Sequence, residues 1–310
     1  LSEGLLEVDR CIQTMTWSAE EAKRLFGETI PLDAAPDNQM KFGFSVRVPV
    51  GVVAAVTPFN FPLNLVAHKV GPAIAGGNSV VIKPASDTPL SALKLTEILL
   101  DAGMPEEAIQ CVTGSGATIG DAVVSHPAVR KVTFTGSQEV GEQIMRTAGL
   151  KKVTMELGSN SPLIVLPDAD VEKVALATVQ NGYANAGQAC ISTQRVYVDR
   201  EVYGDYLDAL KPMVAALPSG DPMGDAIKVG PMVRESDAQR VEGWINEAVG
   251  AGARLIEGGG RNGAVLAPSI LADVHPDMKV SREELFGPAV GVTPIEGIDE
   301  AIQYANDTRY

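Results

Sequence analysis

From about residue 50, the chain alternates short apolar runs with amphipathic stretches of helical length. The apolar runs are rich in β-branched residues and mostly continuous, which is typical of strands buried on both faces of a parallel sheet. Five such runs lie at 50–57, 79–84, 109–114, 130–136 and 152–158. Because successive parallel strands need a crossover connection, usually a helix, this order predicts a doubly wound α/β sheet.

The stretches between these runs carry helix signals. In 62–75, apolar side chains recur on one helical face. In 88–102, Thr88 is a candidate N-terminal cap, and Ser137 is the equivalent candidate for a helix over 137–148. The repeated strand–helix order therefore predicts that the first half of the chain forms one layered unit.

A second α/β unit is predicted to begin near residue 159. Its strands and helices are expected at 162–166, 170–185, 195–199, 202–216 and 234–251. No long linker, internal repeat or low-complexity segment separates the two parts. We therefore predict two domains, 1–158 and 159–310.

Charge and cysteine content narrow the classes of function. The net charge of −14 argues against a nucleic-acid partner, because phosphate binding requires a basic surface. No apolar run is long enough to span a bilayer, so no membrane association is expected. Cys11, Cys111 and Cys190 lack the spacing of a zinc site or a disulfide framework. The sequence thus predicts a cytoplasmic protein with no metal site.

Several loops that follow predicted strands carry polar residues, and ligands of open α/β sheets bind outside the carboxyl ends of the strands. Asn60, in VTPFNFP, could donate a hydrogen bond to a developing oxyanion, or it could cap a helix. Lys83, in VVIKPAS, could contact a ribose or phosphate oxygen, or it could simply reach solvent. Gly136 and Ser137, in FTGSQEVG, would let a pyrophosphate approach a helix N-terminus, or they could simply form a glycine-rich turn between strand and helix.

Glu156 and Cys190 are the candidates for proton transfer and nucleophilic attack. A carboxylate at the end of an apolar strand is costly unless it is paired or functional, so Glu156 is either a general base or half of a buried salt bridge. Cys190, in GYANAGQACIST, is either a packing residue or a nucleophile, which needs activation. His68 lies in a predicted helix and is interpreted as a packing residue, which leaves Glu156 as the better partner for the thiol.

Six segments, taken in chain order, resemble motifs of the NAD(P)-dependent aldehyde dehydrogenase superfamily. PVGVVAAVTPFNFP resembles its oxyanion-asparagine segment, VVIKPAS its ribose-binding lysine segment and FTGSQEVG its cofactor-phosphate loop. MELGS resembles its general-base motif, GQACIS its nucleophile motif and SREELFGP its late cofactor motif. The resemblance implies an NAD(P)-binding Rossmann-like domain over 1–158 and a catalytic domain over 159–310. It also implies that both ends of the family pattern lie outside this sequence.

The resemblance further implies oxidation of an aldehyde to a carboxylic acid through a cysteine thiohemiacetal and a thioester. Cys190 would attack the carbonyl, Asn60 and the backbone N–H of Cys190 would stabilise the oxyanion, and Glu156 would activate the hydrolytic water. Lys83 and Glu284 would hold riboses, Ser137 the pyrophosphate and Phe286 the nicotinamide ribose. The full set of implied cofactor contacts is Thr57, Pro58, Lys83, Ser86, Gly116, Gly136, Ser137, Glu284 and Phe286.

The sequence departs from the family pattern at two positions. Ser159 replaces the last glycine of ELGG, and ELGSN together with VTGSGATIGD resembles the branch of lactaldehyde and phosphonoacetaldehyde dehydrogenases. Ser86 stands where NAD-preferring members often carry Glu, and serine removes the repulsion toward a 2′-phosphate. We therefore predict that NADP is accepted beside NAD, and preference between them stays open.

The remaining inferences concern substrate and assembly. A small aliphatic, hydroxy- or semialdehyde substrate is expected, and Arg10 either lines the substrate entrance or is a solvated helix charge. A CoA-acylating semialdehyde dehydrogenase, a cofactor-independent hydrolase and a non-catalytic member of the same fold stay open as alternatives. The resemblance implies a homodimer or a homotetramer.

Overall fold

The computed structural model describes all residues from 1 to 310. The chain divides into two compact units. The first unit comprises Gly4–Leu157, and the second comprises Leu1–Glu3 together with Gly158–Tyr310. None of the helices combines the length and the apolar composition needed to cross a bilayer.

The first unit is built on a five-stranded, wholly parallel sheet. Its elements are α1 (Ser2–Ala22, which starts in the second unit), β1 (Thr29–Ile30), β2 (Gly43–Phe44), β3 (Val52–Val56), α2 (Asn64–Ala75), β4 (Ser79–Lys83), α3 (Leu90–Asp101), β5 (Ile109–Cys111), α4 (Asp121–Ser125), β6 (Val129–Thr135), α5 (Gln138–Ala148) and β7 (Lys152–Glu156). The strand order is β5-β4-β3-β6-β7, and β1 and β2 form a separate antiparallel ribbon.

The central strand β3 shows why this sheet is doubly wound. Val53 and Ala55 face a core that includes residues of α1, α2 and α3, whereas Ala54 faces a core with residues of α4 and α5. Successive side chains of a strand point to opposite faces, so a continuous apolar run fills both cores. The chain reverses its winding direction between β3 and β6, which is the switch point of an open α/β sheet.

The second unit is a five-stranded mixed sheet. Its elements are β8 (Pro162–Val165), α6 (Val171–Gly182), β9 (Arg195–Asp199), α7 (Tyr203–Ala215), α8 (Glu235–Gly250), β10 (Arg254–Glu257), β11 (Arg261–Asn262), β12 (Val265–Leu266), β13 (Ser269–Ala272), α9 (Lys279–Arg282), β14 (Ala289–Ile295) and α10 (Gly297–Asn306). The order is β10-β13-β14-β9-β8, with only β10 antiparallel. Buried residues of α6 and α7 share one core, and those of α8 another.

The predicted α/β class with a doubly wound parallel sheet is confirmed, and Ser137 caps α5 as expected by accepting a hydrogen bond from Val140 N at 3.4 Å. Two local predictions are wrong. Thr88 does not cap α3, and its hydroxyl is buried without a hydrogen-bond partner. Strand β7 is not buried on both faces, because it lies at the sheet edge and alternate residues are exposed.

Candidate active site

The loops with polar residues in the first unit follow strands that end at one edge of the sheet. Val56, the last residue of β3, pairs in register with Lys83 and with Phe134. One strand further out, Thr135 of β6 pairs with Glu156 of β7. Parallel pairing therefore places the residues after β3, β4, β6 and β7 along the carboxyl edge of the sheet, as the sequence predicted.

Two buried polar groups at this edge have no partner within the protein. Lys83 is 5% exposed, makes no side-chain hydrogen bond or ion pair, and has its pKa lowered by burial. The hydroxyl of Thr57, the residue after β3, is also buried without a hydrogen-bond partner. Leaving such groups unsatisfied is costly, and ligand oxygens would offset that cost. The donor set fits the hydroxyl and phosphate oxygens of a dinucleotide.

Among the other cofactor candidates of this unit, some have a structural role within the chain and others have none. A Cβ added to Gly116 would meet no atom within 4 Å, so nothing in the chain itself requires glycine there. A Cβ on Gly136 would lie 2.4 Å from the Phe134 ring, so packing alone accounts for that glycine. Ser86 is exposed and donates a hydrogen bond to the Gly114 carbonyl at 3.1 Å. The side chain at this position is therefore an uncharged hydroxyl and not a carboxylate. Pro58, next to Thr57, is half-buried.

Glu156 ends β7 at this edge and has a charged neighbour that sequence reasoning missed. Lys69 of α2 is 6% exposed, and its Nζ donates a hydrogen bond to Thr135 Oγ1 at 2.6 Å. Burial lowers the pKa of Lys69 to about 8, while the charge of Glu156 opposes that shift. Glu156 is not half of a buried salt bridge, because β7 is an edge strand and the carboxylate is exposed. The helical spacing could have predicted that Lys69 is buried. It lies three residues after Val66 and four before Ala73, on the apolar face of α2.

Replacement of Lys69 by methionine is expected to change how stability depends on pH. The folded pKa lies below the unfolded value, so the unfolded state binds the proton more tightly, and wild-type stability rises with pH between about 8 and 10.5. The Lys69→Met variant lacks this rise. The difference in unfolding free energy between wild type and variant should therefore change by about 2–3 kcal/mol between about pH 7 and pH 10. Urea unfolding at both pH values measures it. Lys152→Met, at an exposed position, should show no such change, and parallel curves for Lys69→Met and wild type would contradict the prediction.

Asn60 lies half-buried in the turn between β3 and α2. The N-terminus of α2 is capped from α1, because Glu7 Oε1 accepts hydrogen bonds from Leu63 N and Asn64 N at 2.8 Å each. This long-range cap fixes the start of α2 and hence the turn that carries Asn60. No local sequence pattern indicated Glu7, since 57 residues separate it from Asn64.

Cys190 belongs to the second unit and is half-buried in a tight turn after α6. Ser192 N donates to the Ala189 carbonyl at 3.0 Å, which closes the turn around Cys190. The preceding residues Asn185 and Ala186 adopt φ of 50° and 53°, a left-handed conformation that is costly for alanine. None of the three cysteines forms a disulfide. Cys190 therefore lies in a hydrogen-bonded turn that directly follows a segment of left-handed backbone.

Glu284 and Phe286 lie in the second unit on a turn between α9 and β14. Gln194 clamps this turn, because its Oε1 accepts from Leu285 N at 3.0 Å and its Nε2 donates to the Glu283 carbonyl at 2.8 Å. Glu284 Oε1 accepts from Ser159 N at 3.1 Å. Phe286 itself has φ of 50°. Gln194 is buried and was not found by sequence reasoning, since its partners lie about 90 residues away.

The structure thus groups nine candidates in the first unit, namely Thr57, Pro58, Asn60, Lys83, Ser86, Gly116, Gly136, Ser137 and Glu156, and three in the second, namely Cys190, Glu284 and Phe286. The interpretation of His68 as a packing residue is wrong, because its side chain is exposed on α2. Cys11 is buried and Cys111 packs against the same core of the first unit, as expected of packing residues.

The fold and these residues define an α/β protein with a candidate nucleophilic cysteine. The carboxyl edge of its first sheet carries donors that fit a dinucleotide. The sequence profile of the aldehyde dehydrogenase family matches residues 1–310. The chain belongs to this family.

Three known proteins illustrate the relationship. A 3-sulfolactaldehyde dehydrogenase of Priestia aryabhattai is 50% identical over 310 residues, which is 100% of this chain and 65% of the relative. An NADP-dependent succinate-semialdehyde dehydrogenase of Escherichia coli is 40% identical, over 100% of this chain and 64% of the relative. The crystal structure of an NADP-dependent glyceraldehyde-3-phosphate dehydrogenase from Bacillus halodurans, in complex with NADP, superposes with a TM-score of 0.95 and 40% identity over 98% of this chain and 64% of that chain. The chain therefore spans about 65% of the length of the curated relatives it matches.

Proposed function

We propose that this chain is part of an enzyme that oxidises an aldehyde to a carboxylic acid with NAD(P). One observation carries the proposal: the family match extends over residues 1–310 of a chain that retains Cys190, Asn60 and Glu156. The curated relatives named for 3-sulfolactaldehyde and succinate semialdehyde support a small aliphatic, hydroxy- or semialdehyde substrate.

Each of the three residues has a chemical task. The Cys190 thiolate attacks the aldehyde carbonyl and forms a thiohemiacetal, whose alkoxide accepts hydrogen bonds from the Asn60 amide and the Cys190 backbone N–H. NAD(P), when bound, supplies the hydride acceptor. The acyl group then remains on Cys190 as a thioester. Glu156 takes a proton from the water that attacks this thioester, which releases the acid and restores the thiolate.

The buried, unpartnered groups of Lys83 and Thr57 support a cofactor site at the carboxyl edge of the first unit. Lys83 would bind a ribose hydroxyl, and Ser137 would contact the pyrophosphate at the N-terminus of α5. Ser86 would face the adenosine ribose without a negative charge, so a 2′-phosphate is tolerated. In the second unit, Glu284 would hold the other ribose, with Phe286 beside it.

The absorbance of reduced nicotinamide tests this proposal. The complete protein is incubated with NAD or NADP and a panel of small aldehydes, and turnover is expected with both cofactors. The value of kcat/KM for NADP should lie within about tenfold of that for NAD or exceed it. Turnover that appears only when CoA is added would favour the acylating alternative, and ester cleavage without cofactor would favour a hydrolase. Cofactor binding without any turnover would favour a non-catalytic member.

We also propose that the complete protein is a homodimer or homotetramer and that it resides in the cytoplasm. Phe42, Phe44, Val46 and Val48 alternate along the segment around β2 and are all more than 60% exposed. A contiguous apolar stripe of this kind favours a protein interface. Light scattering on the complete protein tests the assembly, and a monomer at micromolar concentration would contradict it.

A further inference from the structure

The turn at 283–288, between α9 and β14, is held by side chains from distant segments of the second unit. Glu284 N donates a hydrogen bond to Tyr310 Oη at 3.1 Å. The Leu285 carbonyl accepts one from Arg240 Nη2 at 3.0 Å. These side chains bond to peptide groups in the way that a neighbouring strand would, so they help to set the course of the turn.

Gln194 bonds to the peptide groups on both sides of Glu284. Its Oε1 accepts from Leu285 N at 3.0 Å, and its Nε2 donates to the Glu283 carbonyl at 2.8 Å. The Glu283 carbonyl belongs to the peptide unit before the Glu284 Cα, and Leu285 N belongs to the unit after it. Each peptide unit is planar, so only two backbone dihedrals orient a residue between its neighbours. Because one amide holds both units, it fixes the direction in which the Glu284 side chain leaves the backbone.

Gln194 is itself held firmly. It is 4% exposed and directly precedes β9, and its own carbonyl accepts a hydrogen bond from Gly291 N of β14 at 2.9 Å. A buried amide is costly unless its oxygen and nitrogen are paired, and here both bond to the turn. Groups placed by strands are positioned more precisely than groups placed by loops. The Gln194 amide is therefore a fixed reference point for the turn.

The carboxylate of Glu284 is held at its other end. Its Oε1 accepts from Ser159 N at 3.1 Å, and a Cβ added to Gly158 would lie 2.4 Å from its Oε2. The carboxylate thus lies directly against the backbone of Gly158, where only glycine leaves it room. Gln194 restrains the backbone of Glu284 while this segment restrains the carboxylate. A group that is ordered before its ligand binds loses less conformational freedom on binding.

We propose that Gln194 is a positioning residue that sets the affinity for the ribose in the nicotinamide half of the cofactor. It acts by fixing the backbone on both sides of Glu284. This inference rests on the proposed function, in which Glu284 binds that ribose. The adenosine half is assigned to groups of the first unit such as Lys83 and Ser137, so Gln194 should not affect it. The two halves of the cofactor can therefore be tested separately.

The test is calorimetric titration of the complete protein with ADP-ribose, which carries the second ribose, and with ADP, which lacks it. The 2′-phosphorylated forms of both are measured in parallel, because the preference between NAD and NADP is open. Wild type should bind ADP-ribose more tightly than ADP. In Gln194→Met, which fills similar space without the amide, we expect the Kd for ADP-ribose to rise about 5- to 30-fold and that for ADP to change less than about twofold. Gln303→Met, at an exposed position of α10, is the matched control and should change neither.

Two further variants show whether Gln194 acts through Glu284. Glu284→Gln should itself reduce the preference for ADP-ribose over ADP, and Gln194→Met should add little in that background. Gln194→Asn keeps an amide that is too short to span both peptide groups, so it should weaken ADP-ribose selectively as well. This milder change decides the question if the circular dichroism spectrum shows that Gln194→Met does not fold.

The possible outcomes separate the inference from the proposed function. Equal weakening of ADP and ADP-ribose in a folded Gln194 variant, unchanged binding of ADP-ribose, or a full effect of Gln194→Met in the Glu284→Gln background would overturn the inference alone. A wild type that binds neither compound in either form would reject the proposed function and the inference together. A wild type that binds ADP-ribose but oxidises no aldehyde would reject the proposed function, and the binding of ADP-ribose by Gln194→Met would still decide the inference.

Discussion

Replacement of Cys190 by alanine is expected to abolish aldehyde oxidation, lowering kcat by at least about 10⁴-fold. Alanine offers no nucleophile, so neither the thiohemiacetal nor the thioester can form. No other thiol can substitute, because Cys11 and Cys111 pack in a core of the first unit. The binding of NAD(P) should be unchanged, since the unpartnered cofactor groups Lys83 and Thr57 belong to that unit. Reduced-nicotinamide absorbance and calorimetric titration with NADP measure the two effects separately.

Two companion variants sharpen this experiment. Glu156→Gln should retain one turnover per site, seen as a burst of reduced nicotinamide, and then stall, because the acyl-enzyme forms but its water is not activated. Cys111→Ala is the matched control and should keep wild-type turnover. Residual activity above about 1% in a pure Cys190→Ala preparation would contradict the assignment of the nucleophile. Loss of the burst in Glu156→Gln would show that the carboxylate acts before the acyl-enzyme, contrary to the proposed role.

Replacement of Arg195 by methionine is expected to destabilise the second unit by about 3–5 kcal/mol. Arg195 is 3% exposed, and the other four residues of β9 are buried as well. Its guanidinium donates to the Asn160 carbonyl, the Tyr197 hydroxyl, and the Tyr304 and Ala305 carbonyls near the end of α10. The last carbonyls of a helix lack intrahelical partners and carry the negative end of its dipole. Methionine fills similar space but leaves these acceptors unsatisfied.

Thermal unfolding and amide hydrogen exchange test the effect of Arg195→Met. We expect a lower melting temperature and faster exchange over Gly297–Asn306, because the guanidinium ties α10 to β9. Arg200→Met is the matched control: Arg200 is exposed and pairs only with Glu296, so its loss should cost less than about 1 kcal/mol. Equal stability of the two variants would contradict the role assigned to Arg195. The exchange measurement matters because a chain of two units need not unfold in one step.

Local sequence patterns were enough to predict the elements whose stabilising residues lie close together in the sequence. Strand β9 covers Arg195–Asp199, the predicted range, because its apolar β-branched run is bounded on both sides. Ser137 caps α5 because its partner, Val140 N, lies only three residues away. The motif residues also follow strands as expected, since the alternation of strand and helix fixes which loops reach the carboxyl edge.

The tertiary structure alone decided the environments of these residues. Glu156 is exposed because β7 is the outermost strand, and strand order does not follow from strand sequence. Gln194 clamps the turn with Glu284, and Arg195 ties β9 to α10, through partners about 90 to 110 residues away. Arg10 and His68 line one cleft because α1 packs beside α2. The sequence alone did not decide between two roles for Arg10, and it led to the interpretation of His68 as a packing residue. Periodicity and turn chemistry act over a few residues, so the sequence by itself determined the elements, the fold class and the residue types of the site. Burial, pairing and charge depend on contacts between distant segments, which only the folded chain brings together.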